Sequence, residues 1–362
     1  MVAHSGEVSE AWVLDGSNVK EDLAKLPIED RLQAVKSLAR PVLPGSCASL
    51  MSVSLADELR ICLEFPFWMG CVISVPVALL TAPFALVYWW PKLLAACGLV
   101  FFLSFETLTQ ERWPQGPPTC ATDRFVRYLS WRVIFEDPGF YSDRSYIFPL
   151  VPHGIFPATL FALMLLQARL PIHRIITAQA TATFHLPYWR QVARWVGTCA
   201  ASQGHILKQL RKGYSVSTFM DGIHGMFSGS SSSVERLFVA KKKGLVKIAL
   251  RTGTPLVPCY CFGQTKLVHT GQDPLGLMMG LSRKLKISIV LPVGRWFLPI
   301  PFRTPCTLVL GRPIAVEKIP EGTEPDVQQV DELHAQLLME TLNLFERYKD
   351  VCGYHEAKVN IE

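Results

Sequence analysis

From residue 146 onward, short apolar runs alternate with longer segments in which apolar residues recur at helical spacing. The runs at residues 146–150, 174–177, 215–219, 256–262, 287–291 and 307–310 have strand length and strand composition. Between them, residues 157–168, 189–196 and 244–252 carry the helical period. A last helix is predicted over 325–349, with Val327, Val330, Leu333, Leu337, Leu338, Leu342, Phe345 and Tyr348 on one face and Thr323 and Asp326 spaced like a capping box. This alternation predicts an α/β domain whose mixed sheet is mostly parallel and flanked by helices.

The pattern upstream is different. No charged residue occurs from Phe65 to Pro91, and after Lys92 none occurs from Leu93 to Phe105. A spanning helix needs about 20 apolar residues, which the first stretch supplies once and the second does not. Pro66, Pro76, Pro83 and Pro91 interrupt the helical pattern, and Trp89-Trp90-Pro91-Lys92 reads as a turn with aromatics at headgroup level. The expectation is a membrane hairpin, re-entrant or a tight helical pair, that returns the chain to its starting face. A buried helix of a soluble core is the plainer alternative. The chain then divides into a charge-mixed N-terminal region left in the cytosol (1–60, with a helix-like stretch at 21–38), a hydrophobic anchor (61–106) and the α/β domain (107–362). The break Trp113-Pro114-Gln115-Gly116-Pro117-Pro118 lies just after the anchor. Within 123–136, Phe125, Val126, Leu129, Val133 and Ile134 alternate at helical spacing with Arg124, Arg127 and Arg132. This fits a helix lying on the bilayer or one facing the core.

Composition supports a large core: 49% of the 362 residues are hydrophobic and 18% charged. The net charge of +6 is mild and spread out, better suited to anionic headgroups or a phosphate-bearing ligand than to a nucleic acid, and no aromatic-basic interleaving suggests RNA binding. Of ten cysteines only Cys259 and Cys261 are closely spaced, without the spacing of a zinc site, so they read as reduced structural residues.

The most informative local feature is Val151-Pro152-His153-Gly154, which sets an imidazole in a sharp turn directly after the run 146–150. A histidine at a strand end can accept a proton near neutral pH, and Gly154 removes a side chain that would crowd a substrate. A structural turn is the competing reading. No Gly-x-Ser-x-Gly elbow, phosphate loop or dinucleotide fingerprint offers a rival. Downstream, Lys241-Lys242-Lys243-Gly244 opens a segment in which Lys243, Lys247 and Arg251 recur every four residues, giving a basic helix edge that either holds phosphate or faces solvent.

From about residue 146 to the C-terminus the chain resembles the type-2 diacylglycerol acyltransferase family, which also contains monoacylglycerol and wax ester acyltransferases. The matching blocks are Val151-Pro152-His153-Gly154, Lys243-Gly244-Leu245-Val246-Lys247-Ile248-Ala249 leading to Leu256-Val257-Pro258 and Phe262-Gly263-Gln264, and Gly311-Arg312-Pro313-Ile314. Pro187-Tyr188-Trp189-Arg190 and Gly353-Tyr354 fall where members have similar residues. Two departures stand out. Val151 replaces the His or Glu with which members begin the turn, so the resemblance transfers the base to His153 alone. Where members have Gly-Gly-x-x-Glu, this chain reads Asp221-Gly222-Ile223-His224-Gly225, leaving Asp221, His224 and Glu235 as candidates for the missing polar contact.

The resemblance implies a general base at His153 and turn-shaping or oxyanion roles for Pro152 and Gly154. It implies acyl-CoA phosphates at Lys243, Lys247 and Arg251. The substrates would be acyl-CoA and diacylglycerol, with monoacylglycerol or a long-chain alcohol as alternative acceptors, and neither cofactor nor metal would be needed. It further implies an endoplasmic reticulum membrane protein with its catalytic domain facing the cytosol, and the lipid droplet as a second location. A homo-oligomer stays open. A lipid hydrolase and a non-catalytic lipid-binding protein are the competing function classes.

Overall fold

The computed structural model describes residues 11–19, 23, 25–68, 119–137, 144–185, 190, 192–193, 196–226, 234–270, 280, 282, 284 and 292–362. In chain order the strands are β1 (Trp12–Asp15), β2 (Arg40–Pro41), β3 (Arg132–Phe135), β4 (Ile147–Leu150), β5 (Ile175–Gln179), β6 (Thr198–Ala200), β7 (Ser215–Phe219), β8 (Val234–Leu237), β9 (Cys259–Phe262), β10 (His269–Thr270), β11 (Pro292–Val293), β12 (Thr307–Leu310) and β13 (Lys358–Ile361). The helices are α1 (Ile28–Leu38), α2 (Leu55–Trp68), α3 (Thr119–Tyr128), α4 (Ala158–Leu166), α5 (Gln203–Arg211), α6 (Gly222–Met226), α7 (Gly244–Thr252) and α8 (Val327–Tyr348).

Two sheets carry the fold. One has the order β4-β7-β5-β6 and is parallel throughout; the other has the order β2-β1-β3-β12-β9 and contains one parallel pair, β3 with β12. They meet where β4 pairs with the chain leading into β9: Ile147 N–H donates to Pro255 O (3.0 Å), Val257 N–H to Ile147 O (2.9 Å) and Cys261 N–H to Val151 O (2.7 Å). The expected α/β architecture stands, but parallel pairing is concentrated in one half, because β1 and β9 lie antiparallel to their neighbours.

Successive strand residues belong to opposite cores, as the pleat requires. Leu14, Val133, Phe135, Phe148, Leu150, Cys261 and Leu308 join the core built with α3 and α4. Val13, Ile134, Ile147, Val151, Tyr260, Phe262 and Val309 join the one built with α5, α7 and α8. Both faces are therefore covered, which is why the strand sequences read as nearly unbroken apolar runs. All nine residues of α4 are buried, consistent with its lack of a polar face.

Several predicted elements coincide with the structure, including β7, β12 and α7; the run at 256–262 reduces to an isolated pairing at Leu256 followed by β9. Others differ for identifiable reasons. The stripe at 123–136 is not one helix: α3 ends at Tyr128, Ser130 takes a positive φ of 46°, and 132–135 form β3. Phe125, Val126, Leu129, Val133 and Ile134 are all buried, so this segment faces the core and not a bilayer. Arg132, read as polar surface, is buried too. Its Nε donates to Asp15 Oδ1 on β1 at 2.8 Å, so the lone charge is paired where it leaves water.

Asp326 caps α8 by itself, accepting from Gln328 N–H (3.1 Å) and Gln329 N–H (3.4 Å), whereas the Thr323 hydroxyl turns back to Pro320 O at 2.6 Å and takes no part in a capping box. Among the described residues the cysteines are unbridged and no helix is long and apolar enough to cross a membrane. Beyond Trp68, the anchor predicted over 61–106 lies outside the described residues, as do the Trp113–Pro118 break, the strand at 287–291 and half of the helix at 189–196.

The end of β9 depends on Gly263. Its φ is +84°, and a Cβ there would meet Pro305 O at 2.1 Å. Replacing Gly263 with Ala should cost more than about 2 kcal/mol of stability, since it adds both strain and a backbone clash. Chemical unfolding of the two proteins checks this, and equal midpoints would contradict it.

Candidate active site

The turn 151–154 leaves the end of β4 and enters the protein interior. Val151, Pro152 and Gly154 are buried while His153 is partly exposed, so the backbone polar groups here need protein partners. Two distant side chains supply them. Asp221, which follows β7, accepts the His153 backbone N–H on Oδ2 at 2.8 Å. Gln264, which follows Gly263, donates from Nε2 to both Pro152 O and His153 O at 2.6 Å, and its Oε1 accepts the Thr159 N–H at 2.8 Å. One amide thus holds two carbonyls of the turn and a free N–H in the first turn of α4. Gly154 has a φ of +60°, and a Cβ there would lie 2.9 Å from Gln264 O. The turn and the Gln264 backbone pack too closely for a side chain.

The imidazole is oriented by its own turn. Nδ1 lies 2.7 Å from Gly154 O. A carbonyl only accepts, so Nδ1 carries the proton and Nε2 keeps its lone pair. The ring packs against Phe219 of β7 with centroids 4.5 Å apart. Burial pushes the His153 pKa down to about 4, against the opposing pull of the Gly154 carbonyl. The ring is therefore neutral at physiological pH, the form in which it can take a proton.

Asp221 is the electrostatic counterpart. It is fully buried, and its Oδ1 has no hydrogen-bond partner among the described residues. Burial raises its pKa to about 7, although the N–H of His153, two nearer backbone N–H groups and the charge of Lys242 pull the other way. Gly225 makes room for this carboxyl, since a Cβ there would lie 2.0 Å from Asp221 Oδ2. Of the three candidate polar partners, Asp221 alone is hydrogen-bonded to the His153 turn among the described residues. The His224 ring stacks on Phe238 at 5.6 Å, and Glu235 accepts from the Thr265 hydroxyl at 2.7 Å, with its pKa raised by burial.

The basic edge forms on α7 as its spacing predicts, but two of its three charges are matched. Lys243 Nζ lies 2.5 Å from Asp331 of α8, and Arg251 Nη2 lies 2.5 Å from Glu324. Lys247 is exposed and makes no ion pair among the described residues. A cavity of about 430 Å³ at the C-terminal end of α7 is lined by Arg211, Arg251, Lys318 and Glu324 but by no residue of the His153 turn. Among the described residues no cluster of His, Cys, Asp and Glu is arranged to hold a metal ion.

Gln264 and Gly225 both stand within motifs of the sequence, but the motifs gave neither residue a role. A signal for the first was available: a glutamine one glycine beyond a strand of four buried residues, Cys259–Phe262, must bond inside the protein.

The chain is 29% identical over 189 residues to diacylglycerol O-acyltransferase 1 of Eremothecium gossypii, a match covering 49% of this chain and 40% of that protein. It is 30% identical over 231 residues to 2-acylglycerol O-acyltransferase 3 of Homo sapiens, covering 58% of this chain and 66% of the relative. The chain thus spans less than two-thirds of the length of either. Among solved structures, the 1-acyl-sn-glycerophosphate acyltransferase of Thermotoga maritima aligns over 81% of this chain and 99% of its own, at 15% identity and a TM-score of 0.39. A family model described as diacylglycerol acyltransferase matches residues 84–361, well over half of the sequence, and the chain therefore belongs to that family.

Proposed function

We propose that this chain is an acyl-CoA-dependent O-acyltransferase that passes a fatty acyl group to the free hydroxyl of diacylglycerol at a membrane surface, giving triacylglycerol and free CoA. The observation that carries this reading is the placement of the His153 ring, whose Nδ1 lies 2.7 Å from Gly154 O and so leaves Nε2 as the base. Family membership supports the reaction class. The name of the human relative supports monoacylglycerol as a second acceptor.

The steps balance without a cofactor. Nε2 of His153 takes the hydroxyl proton as the acceptor oxygen attacks the thioester carbonyl. Backbone N–H groups following Gly154 donate to the developing oxyanion. When the tetrahedral intermediate collapses, the C–S bond breaks and the CoA thiolate recovers the proton from the imidazolium. In that charged form the ring still donates from Nδ1 to Gly154 O, which offsets part of the cost of the buried charge. Asp221 and Gln264 act on the backbone of the turn, fixing where Nε2 lies and not sharing its proton. The acyl-CoA phosphates are assigned to the basic edge of α7, with Lys247 as its uncommitted charge and Lys243 and Arg251 already engaged with acids. Because the acceptor is insoluble, the site works at the membrane, for which the stretch at 65–105, charged only at Lys92, provides the anchor. The endoplasmic reticulum, with the catalytic domain facing the cytosol, and the lipid droplet are the locations this reading favours.

Incubating membranes that contain the protein with labelled acyl-CoA and a panel of mono- and diacylglycerols, long-chain alcohols and sterols tests the reading. New ester supports a transferase; free fatty acid alone identifies a hydrolase, and no product a binding protein. Substituting Ala for His153 should lower transfer at least about 100-fold while the protein stays membrane-bound; undiminished activity would refute the base. Lys247→Glu should raise the KM for acyl-CoA roughly tenfold, the equivalent of about 1.4 kcal/mol, with kcat little changed. An unchanged KM returns Lys247 to solvent.

Asp221 and His153 also make opposite contributions to stability. The raised Asp221 pKa, about 7 against an ordinary 3.8, means that the folded protein holds a proton the unfolded chain has lost, so stability falls as pH rises through that interval. His153, lowered to about 4 from 6.5, makes stability rise with pH over 4–6.5. Asp221→Asn removes only the first effect. The stability of the variant minus that of the wild type, from urea unfolding in mild detergent, should grow by about 2 kcal/mol between about pH 4.5 and about pH 6.5. A constant difference would show that Asp221 is ionised in the folded protein across that range.

A further inference from the structure

Residues 294–300 fold into a tight knuckle that points three large apolar side chains into solvent. Trp296 is 57% exposed, Phe297 91% and Leu298 50%, the exposed large hydrophobics of this end of the chain that follow one another directly. The knuckle is closed by its own backbone: Gly294 N–H donates to Leu298 O (2.7 Å), Arg295 N–H to Ile300 O (2.7 Å) and Leu298 N–H to Arg295 O (2.9 Å). Gly294 is required, because a Cβ there would lie 1.9 Å from Ile300 O.

Trp296 and Phe297 both adopt left-handed backbone, with φ of 53° and 59°, a conformation that bulky residues rarely accept. The loop is thus held in a strained shape whose effect is to turn these side chains outward. A collapsed loop could have buried them.

What surrounds the knuckle indicates what it meets. The Arg295 guanidinium stacks on the Trp296 ring, 4.3 Å from its centroid, and pairs with Glu58 of α2. Tyr128 O–H donates to Pro301 O (2.7 Å) and receives Arg295 Nη1 (3.3 Å), tying the base of the knuckle to α3. On α2, Leu55 and Leu59 stand one turn apart and are 74% and 55% exposed. The C-terminal end of this helix enters the stretch in which Phe65 to Pro91 carries no charge. The ion pair therefore fixes the knuckle to the helix that leads into the most apolar segment of the chain. A tryptophan beside an arginine, followed by two apolar side chains, suits the headgroup layer with the acyl region just beneath it.

We infer that the Trp296-Phe297-Leu298 knuckle is a second membrane contact, inserting into the lipid surface beside α2 and fixing the orientation of the α/β domain on the bilayer. This deepens the proposed function and rests on its premise that the acceptor is drawn from a membrane. The test uses the full chain in vesicles of phosphatidylcholine, either plain or brominated on the acyl chains, with iodide as the aqueous quencher. Subtracting the emission of Trp296→Phe from that of the wild type isolates the Trp296 signal from the other tryptophans.

The expected result is loss of that signal in brominated vesicles and none to iodide. In the double variant Phe297→Ser/Leu298→Ser, Trp296 should become sensitive to iodide. Quenching by iodide alone in the wild type overturns the inference, and so does protection from both quenchers, which would place a second copy or another part of the chain over the knuckle. Quenching needs no turnover. A chain that makes ester with Trp296 in water would sink the membrane contact alone, whereas one with Trp296 in lipid and no ester would sink only the activity.

Discussion

A turn that enters a protein interior must find partners for every backbone polar group it brings with it, and the site around His153 is organised by that requirement. The partners come from two strands that flank β4. Asp221 arrives at the end of β7, the parallel neighbour on one side, and Gln264 at the end of β9, whose approach pairs with β4 on the other. The seam between the two sheets is thus also where the His153 turn is fastened. This explains why two glycines nearby tolerate no side chain: Gly154 and Gly263 mark places where one backbone lies against another.

The same enclosure sets the electrostatics. Loss of water lowers the His153 pKa and raises that of Asp221, so both groups are driven toward their neutral forms. For the histidine this keeps the ring in the unprotonated form that the proposed reaction needs, while making it a weaker base than an exposed imidazole. The carboxyl has another task. Its hydrogen bond to the His153 N–H is to backbone, so Asp221 positions the ring without relaying its proton, unlike the carboxylate of a hydrolytic triad. A lipid acceptor suits this arrangement, since the protein around the ring need only exclude water that would otherwise compete for the thioester.

The knuckle and α2 extend the same logic to the outside of the molecule. An active site that takes an insoluble alcohol has to be oriented as well as tethered. In the proposed arrangement a single anchor would leave the domain free to swing, and a second point of contact joined to α2 through Glu58 and Arg295 would remove that freedom. The backbone strain at Trp296 and Phe297 is then the local cost of presenting apolar side chains where folding alone would hide them.

Much of the architecture was legible because it is written in local patterns. Ser215–Phe219 and Thr307–Leu310 read as strands and Gly244–Thr252 as a helix because period and length agree within a few residues. The Pro-His-Gly turn declared itself through side chains adjacent in sequence. The stripe at 123–136 misled because its period suits a helix and nothing local reveals that the chain reverses at Ser130 to give β3. The run around Trp296 reads equally well as core, and its outward turn depends on hydrogen bonds closed by Gly294 and on an ion pair to a helix more than 200 residues earlier.

The sequence by itself determined many of the elements, the Pro-His-Gly turn and the family, since each depends on neighbours along the chain. Which carboxyl holds the turn, which amide clamps it and which charges of the basic edge are already spent were decided only by tertiary structure. Asp221 lies 68 positions from His153 and Gln264 lies 111 positions away. Such pairings follow from the order of strands in the sheet, and that order is fixed by burying both faces at once, a condition no local window contains.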